Sequence, residues 1–168
     1  VRVVGGGWWG FAASDDLSAG GIESAAALAV EIARASALAK EHDVALAPEQ
    51  KYEVEWTSPI RIDPFSIPVD RNLELLFSID EELRRNSGVT LAETGMVFTR
   101  NRQIFVSSIG SLIDQTRYTS GAGFSAFSFR DGEIQKRSYP NSFGGQHQLK
   151  GYELLDELRL LENAPRIA

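Results

Sequence analysis

Short runs of alternating apolar and polar residues dominate the chain between residues 88 and 145. The runs cover residues 89–99, 104–107, 112–129 and 133–139. Alternation of this kind places successive side chains on opposite faces of a β-strand. The segments between the runs are Arg100-Asn101-Arg102, Ile109-Gly110-Ser111 and Asp131-Gly132, and Asp-Gly is the strongest short-range signal for a hairpin turn. The pattern therefore predicts a meander of four antiparallel strands.

Two further segments carry strand signals. Residues 1–13 contain two apolar runs on either side of Gly5-Gly6-Gly7, and residues 52–57 alternate. The three glycines are compatible with a hairpin turn or with a phosphate-binding loop. The second interpretation needs a lysine or a following helix, and Trp8 follows instead. We therefore predict a hairpin over residues 1–13 and one more strand over residues 52–57.

Helical patterns occupy the intervals between the predicted strands. An alanine-rich stretch over residues 19–41 follows a turn rich in capping residues, and Pro68 opens a second helix that extends to about residue 86. A short helix is predicted near residues 152–158, and Asn163-Ala164-Pro165 is typical of a helix start. Together these elements predict an α+β fold, in which an antiparallel sheet is covered on one face by the two main helices.

Composition narrows the class of protein. The chain has 168 residues, 43% hydrophobic and 24% charged, which fits a single soluble globular domain. Cysteine is absent, which fits a reducing compartment, and no apolar run reaches the ~18–20 residues of a membrane helix. A net charge of −6 argues against nucleic-acid binding. Because the sequence opens on an apolar run and ends just after a helix start, we expect it to be a fragment of a longer protein.

Residues suited to catalysis or metal binding are few. The sequence has two histidines, His42 and His147, without a His-Glu-x-x-His arrangement or a Gly-x-Ser-x-Gly elbow. The acidic pairs Asp15-Asp16 and Glu81-Glu82 are typical of solvated faces. We therefore predict no catalytic residue and no metal ligand in this chain.

The least ordinary segment is residues 137–146, which combines an aromatic side chain, amides and glycines. Pro140 cannot donate to a sheet ladder, so the last strand of the meander should end before it, and Gly144-Gly145 should turn the chain sharply. Tyr139, Asn141 and Gln146 would then project from a rim as candidate substrate-binding residues. The alternative is an ordinary loop, in which Asn141 only satisfies local backbone groups.

A second candidate for binding lies inside the long predicted strand. Gly121 and Gly123 lack a side chain where another backbone could approach closely. An extended peptide could then be added as a further strand to an open edge of the sheet.

Several segments resemble one family. They are residues 9–17 (Trp-Gly-Phe-Ala-Ala-Ser-Asp-Asp-Leu) with the alanine-rich helix, Ser58-Pro59 and Asp63-Pro64, Ser107-Ser108-Ile109-Gly110, residues 137–146, and Gly151-Tyr152-Glu153. In content and order they are similar to the N-terminal part of the TldD/PmbA family, and more to the TldD type than to the PmbA type. The resemblance covers essentially the whole chain.

The resemblance implies a cytoplasmic zinc-dependent peptidase that acts on unfolded peptides as a homodimer or as a heterodimer with a family member. The family signature is a helix with His-Glu-x-x-x-His, in which the histidines hold zinc and the glutamate activates water. That signature would lie beyond Ala168, so no zinc ligand or catalytic residue can be assigned to a position of this chain. An older family label, modulator of DNA gyrase, finds no support in the acidic composition.

Two functions follow from these expectations. The chain could be the N-terminal part of an active metallopeptidase, supplying substrate-binding and dimerisation surface. It could instead belong to a metal-free partner subunit, or serve as an interaction module. The next ~60 residues of the parent protein would distinguish them by the presence or absence of the His-Glu motif.

Overall fold

The computed structural model describes residues 1–142 and 145–168. The chain divides into two compact units, Val1–Glu49 and Gln50–Ala168. Both units combine strands and helices, which confirms the predicted α+β class.

The first unit is a hairpin with one helix. Strands β1 (Arg2–Gly5) and β2 (Trp8–Phe11) pair antiparallel. Gly6 and Gly7 between them have φ values of 60° and 78°, which confirms the predicted hairpin. Helix α1 (Ala19–Ala37) begins after Ser18, whose side chain accepts a hydrogen bond from the N–H of Gly21 at 3.1 Å. It ends four residues before the predicted position.

Small residues bring α1 close to the hairpin of its own unit. Ala25, Ala29 and Ala33 form its buried face. Gly10 of β2 lies directly beneath them, and a Cβ atom at Gly10 would overlap the main chain of Ala29 and Ala33. The contact therefore depends on the missing side chain.

The second unit is built on one long central strand. Its strands are β3 (Glu53–Thr57), β4 (Leu91–Val106), β5 (Leu112–Arg130), β6 (Glu133–Tyr139) and β7 (Gln146–Gln148). One edge of β5 pairs with β4, and the other edge pairs in succession with β3, β7 and β6. Strand β3 is parallel to β5, whereas β4, β6 and β7 are antiparallel to it, so the sheet is mixed.

The predicted turn at residues 100–102 is wrong. Strand β4 continues through it to Val106, in unbroken register with β5. The Arg102 guanidinium donates to the Asp114 carboxylate on the neighbouring strand, with Nε 3.0 Å from Oδ1. This cross-strand pairing outweighs the local turn preference, and the meander has three strands instead of four.

The other two predicted turns of the meander are confirmed. The N–H of Ser107 donates to the carbonyl of Ser111 at 3.0 Å, and Gly110 has a φ of 91°. Asp131 and Gly132 have φ values of 53° and 83°, as a tight hairpin between β5 and β6 requires.

Helices cover one face of the second sheet. Helix α2 (Val69–Arg84) packs on β4, and α3 (Glu153–Leu158) and α4 (Leu160–Ile167) follow β7. The core is formed by Ile79, Leu83, Ala122, Phe124, Ala126, Leu154, Leu155, Leu158, Leu160 and Ala164. The predicted helix start at Asn163 is wrong, because Arg159 adopts a left-handed conformation (φ 48°) that separates α3 from α4, and burial of Leu160 and Ala164 sets the start of α4.

Candidate functional site

The rim predicted after β6 contains one residue that turns inward. Strand β6 ends at Tyr139, as Pro140 predicts. The Tyr139 ring packs on Phe124, with ring centroids 5.7 Å apart, and its hydroxyl donates to the carbonyl of Leu158 at 3.0 Å. The prediction that Tyr139 projects from a rim is therefore wrong, because its hydroxyl finds an acceptor at the end of α3.

The other two candidate residues of the rim differ in exposure. Asn141 is exposed, as predicted. With its amide nitrogen facing them, it donates to the carbonyls of Ser142 and Gly145 at 2.7 and 2.6 Å. Gln146 is half-buried in β7 and pairs with Ala122. Gly144, part of the predicted sharp turn, lies outside the described residues, whereas Gly145 has a φ of 102°.

Gly121 and Gly123 do permit other atoms to approach the strand closely, but the space beside them is occupied by other residues of the same chain. A Cβ atom at Gly123 would meet Gly145 Cα and the carbonyl oxygen of Tyr139. A Cβ atom at Gly121 would meet the ring of His147. Both glycines also lie in the central strand, so the prediction that they mark an open edge is wrong.

The open edge belongs to β4. Its sixteen residues pair with β5 on one side, from Leu91 opposite Phe127 to Val106 opposite Leu112, without a bulge. Within residues 1–142 and 145–168, no strand pairs with its other side. Edge strands of β-sheets are normally short, interrupted by a bulge or covered by another element, because their unpaired N–H and C=O groups attract another strand. Strand β4 can therefore accept an extended chain through main-chain hydrogen bonds.

A depression in the sheet lies beside this edge. It has a volume of about 190 Å³, and its lining includes Glu93, Gly95, Gly123 and Lys136. Gly95 and Gly123 are opposite one another in the register, and no atom lies within 4 Å of the position that a Cβ of Gly95 would take. The depression thus leaves open space above Gly95, between an acidic and a basic side chain.

Glu153 connects two of the segments that carry the family resemblance, namely the loop that runs from Ser58-Pro59 to Asp63-Pro64 and the segment Gly151-Tyr152-Glu153. Its buried carboxylate accepts hydrogen bonds from the N–H groups of Arg61 (3.2 Å), Ile62 (3.0 Å) and Gly151 (3.0 Å). Burial by itself would raise the pKa of Glu153, but the main-chain donors outweigh burial and lower the pKa below its ordinary value. With its oxygens engaged in this way, Glu153 ties the loop after β3 to the start of α3 and is not poised as a base.

Sequence reasoning assigned Glu153 no individual role. The available signal was a glutamate two residues after a glycine at the start of a predicted helix. That signal shows neither that the carboxylate is buried nor that the loop around Arg61 and Ile62 is its partner, because the donors are about 90 residues away in the chain.

The two histidines have separate surroundings. His42 lies edge-on to Trp8 in the first unit, with ring centroids 6.2 Å apart, and His147 lies over Gly121 in the second unit. Across the described ranges, no three His, Cys, Asp or Glu side chains are grouped so that they could hold a metal ion. The residues present thus do not form a zinc site, and we derive no catalytic step through zinc in this chain.

Comparison with known proteins leaves the family open. The chain matches no protein-family model and no curated protein. The TldD/PmbA resemblance is therefore a prediction from motifs. In the part of the chain that the structure describes, no helix has the length and apolarity needed to cross a membrane.

Proposed function

We propose that this chain is the non-catalytic N-terminal portion of a zinc-dependent peptidase of the TldD/PmbA type, and that it receives peptide substrate along the open edge of β4. The observation that carries the proposal is the unbroken edge of sixteen residues, with which no strand among the described residues pairs. In this proposal the zinc belongs to a downstream domain of a cytoplasmic parent, which assembles with a second copy or with a family member.

An open strand edge suits unfolded peptides as ligands. Such peptides expose main-chain N–H and C=O groups at every residue, and a strand edge binds these groups whatever the side chains are. The depression at Gly95 adds one position at which a side chain is accommodated. This combination supports a broad preference for extended peptides over folded proteins.

Amide hydrogen exchange followed by NMR tests the proposal. In the free chain, alternate amides of β4 face the open edge and should exchange quickly, whereas their neighbours, bonded to β5, should be protected. Addition of an unstructured peptide of about ten residues should protect the fast set at least tenfold, in alternate positions. A matched peptide that is N-methylated at alternate residues cannot complete the ladder and should give no protection.

Two results would contradict strand addition. One is equal binding of the plain and the N-methylated peptide. The other is protection that appears elsewhere in the sheet while the fast amides of β4 stay unchanged.

The peptidase part of the proposal is tested on the full-length parent. The parent should contain zinc and lose peptide cleavage when a chelator removes it, whereas the 168-residue chain alone should bind no stoichiometric zinc and cleave nothing. One zinc held tightly by the isolated chain, and lost in His42→Ala or His147→Ala, would contradict the placement of the metal downstream.

The alternative, an interaction module or metal-free partner subunit, draws on a different feature. Trp56 and Phe105 lie on the same face of the sheet and are 42% and 46% exposed, as suits contact with a partner protein. A parent without the His-Glu motif that still binds peptide at β4 would favour this alternative.

A further inference from the structure

Helix α2 lies over the strand with the open edge, and its two flanks have different neighbours. Its buried residues Ile79 and Leu83 belong to the core of the second unit, and the hydroxyl of Thr94 on β4 donates to the carbonyl of Leu76 at 3.5 Å. Helix α4 packs beside α2 and also contacts β5 and β6. Because β5 and β6 lie on one side of β4, α4 covers the flank of α2 that faces them, and the opposite flank faces the open edge.

Helical spacing shows which side chains occupy each flank. Arg71, Leu75 and Ser78 (i, i+4, i+7) line the depression between α2 and helices α3 and α4. The flank towards the open edge carries apolar residues at the same kind of spacing, and we call them the apolar flank of α2: Val69, Leu73, Leu76 and Phe77. Further along the helix, this flank continues into Asp80, whose carboxylate accepts a hydrogen bond from Arg84 at 2.7 Å, so these two charges are paired.

The apolar flank is open to solvent. Val69, Leu73 and Phe77 are 69%, 42% and 64% exposed, and Leu76 is half-buried. Adjacent apolar side chains that stay exposed on one surface indicate contact with another molecule. The open edge of β4 beside them indicates the kind of molecule, because such an edge binds extended chains.

Strand geometry connects the two surfaces. A strand added to β4 would lie about 4.8 Å beyond it, with side chains that point alternately to the two faces of the sheet. On the helix side, every second side chain would project towards the apolar flank of α2. On the other side, its nearest neighbours on β4 would be Glu93, Gly95 and Val97, which lie on the face opposite the helices. Apolar side chains of the added strand are therefore buried at alternate positions.

We propose that the peptides received by β4 are those with apolar side chains at alternate positions, which pack on the apolar flank of α2. Main-chain hydrogen bonds to β4 are the same for any extended peptide, so the selection comes from burial of apolar surface against this flank. This selection rests on the proposed strand addition and narrows its substrate class. Leu73, one helical turn from both Val69 and Phe77, is the central specificity-determining residue.

Two peptides of the same composition test this selection on the whole chain. In the first, leucine and serine alternate over about ten residues, and in the second the same leucines stand three and four residues apart, as on one face of a helix. Protection of the β4 amides against hydrogen exchange, followed by NMR, gives each Kd. The alternating peptide should bind about tenfold more tightly, because no slip of register restores alternation in the second peptide.

Leu73→Ser should weaken binding of the alternating peptide about fivefold. It should leave unchanged the Kd of a peptide in which threonine replaces leucine. Leu161→Ser is the matched control, because Leu161 on α4 is 40% exposed but lines the depression on the other flank of α2, and neither Kd should change. Val69→Ser gives a second test of the apolar flank at a more exposed position, and thermal melts show that each variant stays folded.

Three results would overturn the selection. With the β4 amides protected, equal affinity for the two leucine peptides would do so and leave strand addition intact, as would equal effects of Leu73→Ser and Leu161→Ser. Binding of the helically spaced peptide at the apolar flank, without protection of β4, would show that the flank receives a helix instead. Failure of every peptide to protect β4 would contradict strand addition itself, and the selection with it, so the two failures are distinguishable.

Discussion

Gly123 of the central strand and Gly145 after β6 lie back to back, so close that a methyl group on Gly123 would meet Gly145 Cα and the carbonyl oxygen of Tyr139. The contact is between main chains, which cannot move aside as a flexible side chain would. It holds the segment that leads into β7 against the middle of the sheet.

Gly123→Ala should therefore destabilise the second unit. Overpacking against main chain typically costs about 1–3 kcal/mol. Gly95→Ala is the matched control, because Gly95 is opposite Gly123 and its Cβ would enter open space. That control should be neutral or slightly stabilising. Chemical denaturation measures both, and equal losses would contradict the assigned contact.

Gly10→Ala should loosen the first unit. A methyl group there would overlap the main chain of Ala29 and Ala33, so α1 would have to move away from the hairpin. Gly20→Ala, in the first turn of α1, meets no atom within 4 Å and should stabilise the helix by about 0.5–1 kcal/mol. Hydrogen exchange of the α1 amides reports on this unit separately. Protection unchanged by Gly10→Ala would show that the contact is not tight.

Glu153→Gln should destabilise the second unit by about 1–3 kcal/mol at neutral pH, because an amide NH₂ would face main-chain donors that now bond to a carboxylate. The folded pKa of Glu153 lies below its ordinary value of 4.5. Its contribution is therefore present above pH 4.5 and is lost as the pH falls through the folded pKa.

The stability difference between wild type and Glu153→Gln should thus shrink on acidification. Urea denaturation at a series of pH values measures it. A difference that stays constant or grows towards low pH would contradict the lowered pKa.

Asn141→Ala separates the two interpretations of the rim. Asn141 donates to the carbonyls of Ser142 and Gly145, so its loss should lower the free energy of unfolding by about 0.5–1.5 kcal/mol. Peptide affinity should stay the same if the role is local. Weaker peptide binding with an unchanged melting temperature would instead support Asn141 as a substrate-binding residue.

Features governed by neighbouring residues were predictable from the sequence. The Asp131-Gly132 turn needs positive φ at two positions, Ser18 caps the helix that follows it, and Pro140 ends a strand. Such preferences act over a few residues and require no knowledge of partners. The α+β class, the hairpin over residues 1–13 and the main helices followed from them.

Features governed by distant partners were not predictable. Arg102 lies in a strand because β4 pairs with β5, where Asp114 is its diagonal neighbour, and Tyr139 turns inward because the carbonyl of Leu158 accepts its hydroxyl. The same limit applied to the candidate site. The sequence by itself identified Gly121 and Gly123 as positions of close approach, since glycine has no side chain. Only the tertiary structure decided that Gly145 and His147 occupy that space and that the open edge is β4, because strand order depends on contacts between residues far apart in the chain.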